Sequence, residues 1–403
     1  MVTARMTRGL TSGLAAVLAF ALVATAVGAP AGPPIRIGGT LALTGPLAAT
    51  ALLHKITAEI YIEELNRGHG LLGRPVEWVL LDDQSKPEIT RTLYEKLITV
   101  DKVDLLMGPY ATGAIIAAMG VAQRYQKMLI HHSFGMPHLA KYEMHFPAAP
   151  FGPEPSRTVP GVVFDAVAAT VNPPKTVAII TSKFPSAQFQ SSGARDVAIQ
   201  RGLKVLLYLE YEFGTRDFGP IAARVKDANP DLLWVGALGL DGNLVLEELK
   251  RLDYSPRRHF HLFPAPGPMA LAPEAKLALS STFFEEHPPF TNNPVAARFA
   301  TLYHERAAKA GVPYTNVDTQ AAGSYAAWQM LEAAVTATKS LDDKALAQWL
   351  RKNQVQTIVG RFRFDGPNNY GDDLTKVKQV QDGKWVVVWP KEFAAPGARL
   401  LPP

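Results

Sequence analysis

The sequence predicts an α/β protein made of two doubly wound parallel-sheet lobes, and three observations support this prediction. Short apolar runs alternate with amphipathic stretches of helical length, the pattern of βαβ units. The alternation occurs twice, over residues 35–132 and again over residues 176–263. A proline-rich segment at 147–161, "PAAPFGPEPSRTVPG", separates the two runs. A chain of 403 residues is also long enough for two cores.

The first run contains four predicted strands and three predicted helices. In the first strand, Ile35, Ile37 and Leu41 are apolar, and the strand leads into a Thr-Gly-Pro turn. The helices repeat their apolar residues at intervals of three and four, as an amphipathic helix requires. In chain order, the predicted strands are 35–41, 76–83, 103–107 and 127–132, and the predicted helices are 48–65, 87–100 and 114–125.

The second run repeats the pattern, and a helical tail follows it. Segment 147–161 reads as a linker because it holds five prolines. The pair Asp382-Gly383 between two alternating stretches predicts a hairpin near the end of the chain. The predicted strands are 176–181, 204–210, 231–236 and 259–263, and the predicted helices are 187–200, 218–228, 240–252, 294–310, 319–339 and 342–353.

The N-terminus has the layout of a signal peptide. Arg5 and Arg8 precede an uncharged apolar run at 10–27, and the small residues of "TAVGAPAG" follow. We therefore expect residues 1–31 to be cleaved during export. The alternative, a membrane anchor, fits less well because the run is short and rich in alanine.

Composition excludes several classes of function. The chain has no cysteine, which excludes disulfides, iron–sulfur clusters and thiolate zinc sites. The net charge is only +5 and the basic residues do not cluster, so no nucleic-acid partner is expected. Neither a phosphate-binding G-x-x-x-x-G-K-[ST] loop nor a G-x-S-x-G elbow nor an H-E-x-x-H motif is present. We expect no enzyme activity, no metal and no cofactor.

The stretch "MGPYATGAII" predicts a ligand site at the end of a buried strand. Thr112 lies where a helix should begin, so we expect its hydroxyl to cap the helix and backbone amides to point outward. Such amides attract an anion, most simply a ligand carboxylate. That Thr112 is a structural cap and nothing more remains an alternative. The end of the next strand, "HHSFGMP", adds Ser133 and Gly135.

The order of these motifs resembles the periplasmic substrate-binding proteins of the branched-chain amino-acid (leucine/isoleucine/valine-binding) ABC transporter type. The resemblance runs from Ile35 to about Trp389. It is carried by "IRIGGTLALTGPLA", "IEELNRGHGLLGRPVEWVLLDDQSKP", "LITVDKVDLLMGPYATGA", "TVAIITSKFPSAQ" and "GTRDFGPIAARVKDANPDLLWVGA". Each motif is weak alone, and their order and spacing make the resemblance specific.

The resemblance implies a type I periplasmic binding protein fold, in which a three-segment hinge joins the lobes. We expect crossovers near 150–153, 284–288 and 360–365. Lobe 1 would then comprise residues 35–152 and 286–361, and lobe 2 would comprise residues 153–285 and 362–403. The implied protein is a periplasmic monomer that binds a small molecule and delivers it to an ABC permease.

The resemblance also implies where the ligand lies. Thr112 matches the hydroxyl residue that binds the ligand's carboxylate, and the ends of neighbouring strands supply the other contacts. In the second lobe the family's covering aromatic is missing near Ser186, so Phe184 or Phe189 is expected to replace it. The expected ligand-binding residues are Tyr110, Ala111, Thr112, Ser133, Phe134, Gly135, Phe184, Ser186, Leu238 and Gly239.

One departure from the family concerns the ligand's charge. Amino-acid-binding members place an acid after the strand that matches "HFHLF", but here "FPAPGP" follows with no Asp or Glu. Burying an unpaired ammonium would cost several kcal/mol. We therefore expect an aromatic or aliphatic acid or amide. Two alternatives stay open: branched-chain amino-acid binding with a relocated anchor, Asp241 or Glu285, and a sensor that presents its closed form to a membrane receptor.

Overall fold

The computed structural model describes residues 1–3, 29–263 and 268–402. Most of the predicted signal peptide, 1–31, therefore lies outside the described residues. The N-terminal sheet contains five strands, β1–β5, and each predicted strand and helix of the first run is present. The bounds are β1 Ile35–Leu41, α1 Ala48–Arg67, β2 Val76–Asp82, α2 Pro87–Thr99, β3 Leu105–Met107, α3 Thr112–Tyr125, β4 Leu129–His131 and β5 His145–Pro147.

The second half of the chain forms a larger sheet and the remaining helices. The C-terminal sheet contains β6–β10 together with the hairpin strands β13 and β14. The bounds are α4 Pro155–Ala168, β6 Thr176–Ser182, α5 Pro185–Gln200, β7 Lys204–Tyr211, α6 Gly219–Ala228, β8 Leu232–Gly236, α7 Asp241–Arg251, β9 His259–His261, α8 Pro268–Leu271, β10 Leu279–Thr282, α9 Pro294–Lys309, α10 Thr319–Thr338, α11 Asp343–Lys352, β11 Val355–Gln356, β12 Arg361–Phe362, β13 Lys376–Gln381 and β14 Lys384–Trp389.

Both sheets are doubly wound. The N-terminal sheet has the order β2-β1-β3-β4-β5 with all strands parallel. The C-terminal sheet has the order β14-β13-β10-β9-β8-β6-β7. Strands β10, β9, β8, β6 and β7 are parallel to one another, and the hairpin strand β13 is antiparallel to both of its neighbours, β10 and β14. Helices cover both faces, so strands such as β8, "LLWVG", are buried at every residue. The predicted fold class is confirmed.

The predicted linker at 147–161 is wrong, because much of it belongs to regular structure. Pro147 ends β5, and α4 begins at Pro155. A proline is well tolerated in the first turn of a helix, where its missing N–H has no partner to lose. Val159, Val163 and Val167 then recur at helical spacing and are buried, and α4 packs on α5 and on strand β13 of the C-terminal sheet. Besides α4, the sequence patterns also missed the short strands β5 and β10.

The C-terminal part of the chain, from α10 onward, contributes elements to both halves of the molecule. Helix α10 packs on α1, where the rings of Tyr61 and Trp328 stack 6.2 Å apart. The predicted hairpin is confirmed: Asp382 and Gly383 both have positive φ, 51° and 73°, and β13 pairs with β10. The segment between α11 and this hairpin contains the expected third crossover.

Residues just before that hairpin still contact the N-terminal sheet. The Asn369 side chain donates to the His145 carbonyl at 2.8 Å, and the Tyr370 hydroxyl donates to the Phe134 carbonyl at 2.9 Å. These contacts favour a third crossover after Tyr370, later in the chain than expected. The division of the chain into residues 35–152 plus 286–361 and 153–285 plus 362–403 stays a prediction. Among the described residues, no helix is both long and apolar enough to cross a membrane.

Candidate functional site

A cavity lies where the carboxyl ends of the two sheets face each other. The space between its walls is about 820 Å³, with the part open to solvent included. Its walls come from the loops after β3, β4, β5, β6, β8, β9 and β10, from the start of α10 and from Lys378 of β13. Ligand sites of parallel sheets lie at this edge, where helix N-termini point. Eight expected residues line it: Tyr110, Ala111, Thr112, Ser133, Gly135, Phe184, Ser186 and Leu238.

Helix α3 begins at the cavity without a side-chain cap. The expectation that the Thr112 hydroxyl caps the helix is wrong: Thr112 is the first helical residue, and Ala111 is the N-cap with φ 77° and ψ 146°. Because alanine has no oxygen on its side chain, the first-turn amides have no side-chain acceptor. Ser133 holds the turn in place, since its hydroxyl accepts a hydrogen bond from the Ala111 amide at 3.1 Å.

A second helix, α5 of the C-terminal half, begins at the same cavity and also lacks a side-chain cap. Its N-cap is Phe184, whose amide donates to the Ser182 hydroxyl at 3.2 Å. Pro185 has no N–H, so the amides that follow it, beginning with Ser186, are the first that the helix offers. The positive ends of two helix dipoles therefore meet at one cavity.

Two expected residues do not line the cavity. Phe134 is fully buried, and its ring packs edge to face on His131 with the centroids 5.6 Å apart. Gly239 occupies a left-handed turn with φ 59° after Leu238, which does line the cavity. The proposed replacement Phe189 packs on His138 instead, at 4.6 Å.

The start of α10 contributes a carboxylate that the sequence analysis missed. Asp318 is 6% exposed, and its Oδ1 accepts the amides of Gln320 at 3.0 Å and Ala321 at 2.9 Å. Burial raises the pKa of Asp318, although Lys378 opposes that shift. An aspartate directly before an apolar-periodic helix is an N-cap signal, so the sequence could have revealed this residue.

A buried ion pair stands beside Asp318. The Lys378 ammonium lines the cavity and donates to Glu285 Oε1 at 2.7 Å, and the Thr282 hydroxyl donates to the same oxygen at 2.9 Å. Burial raises the pKa of Glu285 to about 7, against the opposing effect of Lys378. Glu285, considered above as an ammonium anchor, is thus already paired. Asp241, the other candidate, accepts the Tyr211 hydroxyl at 3.1 Å and is not a lining residue.

Aromatic rings complete the walls. Phe151 packs edge to face on Phe283 at 4.7 Å and on Phe263 at 6.4 Å, and all three line the cavity. Tyr110 adds a further ring, and burial raises its pKa to about 12. The site thus combines uncapped helix starts with apolar ring surfaces, a pattern typical of a pocket for a small organic anion.

Comparisons with known proteins agree with this architecture. A family model described as "Periplasmic binding protein" matches residues 34–384. The Leu/Ile/Val-binding protein homolog 1 of Brucella suis is 24% identical over 366 residues, which cover 89% of this chain and 95% of that protein.

Two solved structures have the same fold. The leucine-binding protein LivK of Thermotoga maritima superposes with a TM-score of 0.74 at 20% identity, covering 88% of this chain and 97% of its own. A solute-binding protein of an R. palustris ABC transporter, solved in complex with benzoate, superposes with a TM-score of 0.75 at 18% identity, covering 92% and 99%. Related folds thus bind an amino acid in one case and an aromatic acid in the other.

Proposed function

Because the chain belongs to the periplasmic binding protein family, whose members bind solutes, we propose that it captures a small carboxylate ligand outside the cytoplasm. An aromatic or aliphatic acid fits better than an α-amino acid. In this proposal the cavity walls contributed by the two sheets close over the ligand by a hinge motion, and the closed form delivers it to an ABC permease.

One observation carries the proposal: α3 and α5 both start at the cavity with no side-chain cap. Their first-turn amides need acceptors, and a carboxylate supplies two oxygens with several lone pairs. The helix dipoles favour the negative charge, each by about 0.3–1 kcal/mol at an exposed site and by up to about 2 kcal/mol when partly buried. The Thr112, Ser133 and Ser186 hydroxyls surround this position.

The apolar part of the ligand is proposed to lie among the aromatic rings. Phe151, Phe263 and Phe283 present faces and edges against which a planar ring would stack. The benzoate complex of the structural relative from R. palustris supports an aromatic acid on this fold, though not this ligand in particular.

A branched-chain amino acid is the second candidate, and Asp318 favours it. Asp318 lines the cavity, and because both amides that it accepts fall on Oδ1, Oδ2 would be the oxygen that accepts from a ligand ammonium. Against this candidate, the Lys378 ammonium lines the same cavity and would repel a second buried cation.

A thermal-shift screen of matched pairs separates the two candidates. Each pair differs in one charged group: leucine against 4-methylpentanoate, phenylalanine against 3-phenylpropanoate, and benzamide against benzoate. A ligand at 100 times its Kd should stabilise the protein by about 2.7 kcal/mol. We expect the simple acids to raise the Tm and the amino acids and benzamide to leave it unchanged.

The screen has a clear contrary outcome. If leucine stabilises the protein and 4-methylpentanoate does not, the ligand is an amino acid. Asp318→Asn should then abolish leucine binding, because the amide cannot compensate the ammonium charge. If the ligand is a simple carboxylic acid, as proposed, Asp318→Asn should bind that acid as tightly as wild type or more tightly, because it removes a negative charge from the cavity.

A further inference from the structure

A stacked pair of histidines borders the cavity and has no part in the carboxylate site. His132, at the end of β4, lines the cavity. The ring of His54, from α1, stacks on it with the centroids 4.2 Å apart and an interplanar angle of 17°. Tyr110, another lining residue, packs on the far ring with a centroid distance of 4.9 Å. Polar rings from three elements thus back one wall of the cavity.

These rings lack the hydrogen bonds that buried polar atoms normally have. His54 is 1% exposed and His132 is 4% exposed. Within the described part of the chain, His132 Nδ1 and both ring nitrogens of His54 are buried without a hydrogen-bond partner. Gln320 lies near enough to His54 to oppose the lowering of the His54 pKa, but it makes no hydrogen bond of normal geometry there. Native proteins rarely leave a buried polar ring without hydrogen bonds, and the ring nitrogen open to a ligand is His132 Nε2, which is not among these inaccessible atoms and has no hydrogen bond within the described residues.

The protonation state limits which ligand group can pair with that nitrogen. Burial lowers the pKa of His132 to about 3. Burial lowers that of His54 well below 6.5, with the neighbouring ring adding to the effect. Both rings are therefore neutral at pH 7, and each offers one donor and one acceptor.

A neutral donor–acceptor pair matches a hydroxyl group better than a charged group. A hydroxyl both donates and accepts hydrogen bonds, so it can pair with Nε2 of His132 in either tautomer of the ring, whereas a carboxylate only accepts and an ammonium only donates. An uncharged imidazole also gives neither ion the opposite charge that burial in a closed cavity demands. The charged groups at the cavity are Lys378 and Asp318, and Asp318 lies near enough to Tyr110 to act on the pKa of that residue.

We propose that His132, backed by His54, hydrogen-bonds a hydroxyl group of the ligand, so that the preferred ligand is a hydroxylated aromatic carboxylate. This inference rests on the proposed function, since it assumes that an aromatic acid occupies the cavity. His132 then determines specificity, and the helix starts supply the affinity for the acid group.

Isothermal titration with benzoate and with 2-, 3- and 4-hydroxybenzoate tests the inference on the mature protein. We expect wild type to bind at least one hydroxybenzoate about two- to tenfold more tightly than benzoate, the effect of one buried hydrogen bond between neutral groups. In His132→Phe the preference should vanish, while benzoate affinity stays within about threefold. His132→Asn keeps a donor and an acceptor and should retain part of the preference. His138→Phe is the matched control, because His138 is exposed and does not line the cavity.

The results that would contradict this inference differ from those that would contradict the proposed function. If wild type binds benzoate as tightly as all three hydroxybenzoates, or if His132→Phe keeps the preference, the inference is wrong and the proposed function stands. If none of the four acids binds wild type, the proposal of an aromatic acid fails and takes this inference with it. The wild-type comparison decides the matter even if His132→Phe does not fold.

Discussion

At the residue scale, the anion site depends on the backbone of Ala111. Its φ of 77° lies in a region that side-chain-bearing residues rarely adopt, and such a conformation costs about 1–3 kcal/mol. The hydrogen bond from its amide to Ser133 helps to hold it. This turn connects β3 to α3 and directs the first turn of α3 toward the cavity. The strained backbone of Ala111 therefore helps to orient the first-turn amides.

Replacement of Thr112 by valine tests the role of its hydroxyl. Thr112 lines the cavity at the first position of α3, where its hydroxyl would donate to the ligand carboxylate. A hydrogen bond to a charged group is worth about 1.5–3 kcal/mol, so we expect Thr112→Val to weaken binding by roughly 10–150-fold. The Tm without ligand should change little, because valine keeps the shape.

Titration calorimetry measures the affinity of Thr112→Val for the ligand, and thermal melts of the same samples measure its Tm. Thr92→Val is the matched control, since Thr92 is exposed on α2, away from the cavity, and should leave affinity unchanged. An unaltered affinity in Thr112→Val would remove Thr112 from the site and weaken the case for the α3 start.

The sequence could predict part of the site at this scale, and the reason is local. Thr112, Ser133 and Ser186 follow apolar strands directly, so the strand-to-helix order places them at one edge of a sheet. Lys378 could not be found in that way, because Lys376 and Lys378 alternate with apolar residues in "KVKQVQ" like the solvent face of a hairpin. Its burial depends on Glu285, which lies 93 residues earlier in the chain.

At the element scale, α4 and α5 pack unusually closely at Gly193. A Cβ placed on Gly193 would lie 1.9 Å from the carbonyl oxygen of Ser156, and a backbone atom cannot move aside cheaply. We therefore expect Gly193→Ala to lower the free energy of unfolding by about 1–3 kcal/mol or more. Urea denaturation of the ligand-free protein measures this.

Gly120→Ala is the matched control for that measurement. Gly120 lies inside α3, and a Cβ there would meet nothing within 4 Å. Alanine at such a position should stabilise the helix by about 0.5–1 kcal/mol. If the two variants change stability equally, the close packing of α4 on α5 is not as described.

The sequence predicts helices and strands well wherever their apolar residues recur at regular intervals. Helices α1, α2 and α9–α11 and the long strands β1, β2, β6 and β7 begin and end within a few residues of their predicted bounds. The prolines of segment 147–161 predict a break in regular structure, but Pro155 starts a helix. Strand β10 has the sequence "LSST", with one apolar residue, and only its position beside β9 makes it a strand.

At the scale of the whole molecule, buried histidines predict sensitivity to acid. Burial lowers the pKa of His132 to about 3 and of His145 and His259 to about 4. It lowers the pKa values of His54, His131 and His261 well below 6.5. Unfolded histidines titrate near 6.5, so between about pH 4 and 6.5 the unfolded state binds more protons. The free energy of unfolding therefore falls as the pH falls through this window.

Buried carboxyls oppose this trend without cancelling it: besides Glu285 and Asp241, burial raises the pKa values of Asp83, Asp318, Asp343 and Asp373. Burial raises the pKa of Glu285 to about 7 and that of Asp241 to about 6, so the folded state holds protons there that the unfolded state releases. The histidines, which number seven with His287, outweigh these carboxyls between pH 5 and 6.5, each contributing up to about 1.4 kcal/mol per pH unit. We expect the Tm to drop steeply between pH 6.5 and 5 in calorimetry. A Tm that is constant or rises toward pH 5 would contradict these burial effects.

The central claim is that one carboxylate lies between the starts of α3 and α5. The most direct measurement is a crystal structure of the protein with the acid that binds most tightly in the screen. Our account predicts carboxylate oxygens within about 2.7–3.2 Å of first-turn amides of α3 and of the Thr112 hydroxyl, with the apolar part of the ligand against Phe151 and Phe283. A carboxylate bound instead to the Lys378 ammonium, with its apolar part against the helix starts, would contradict it.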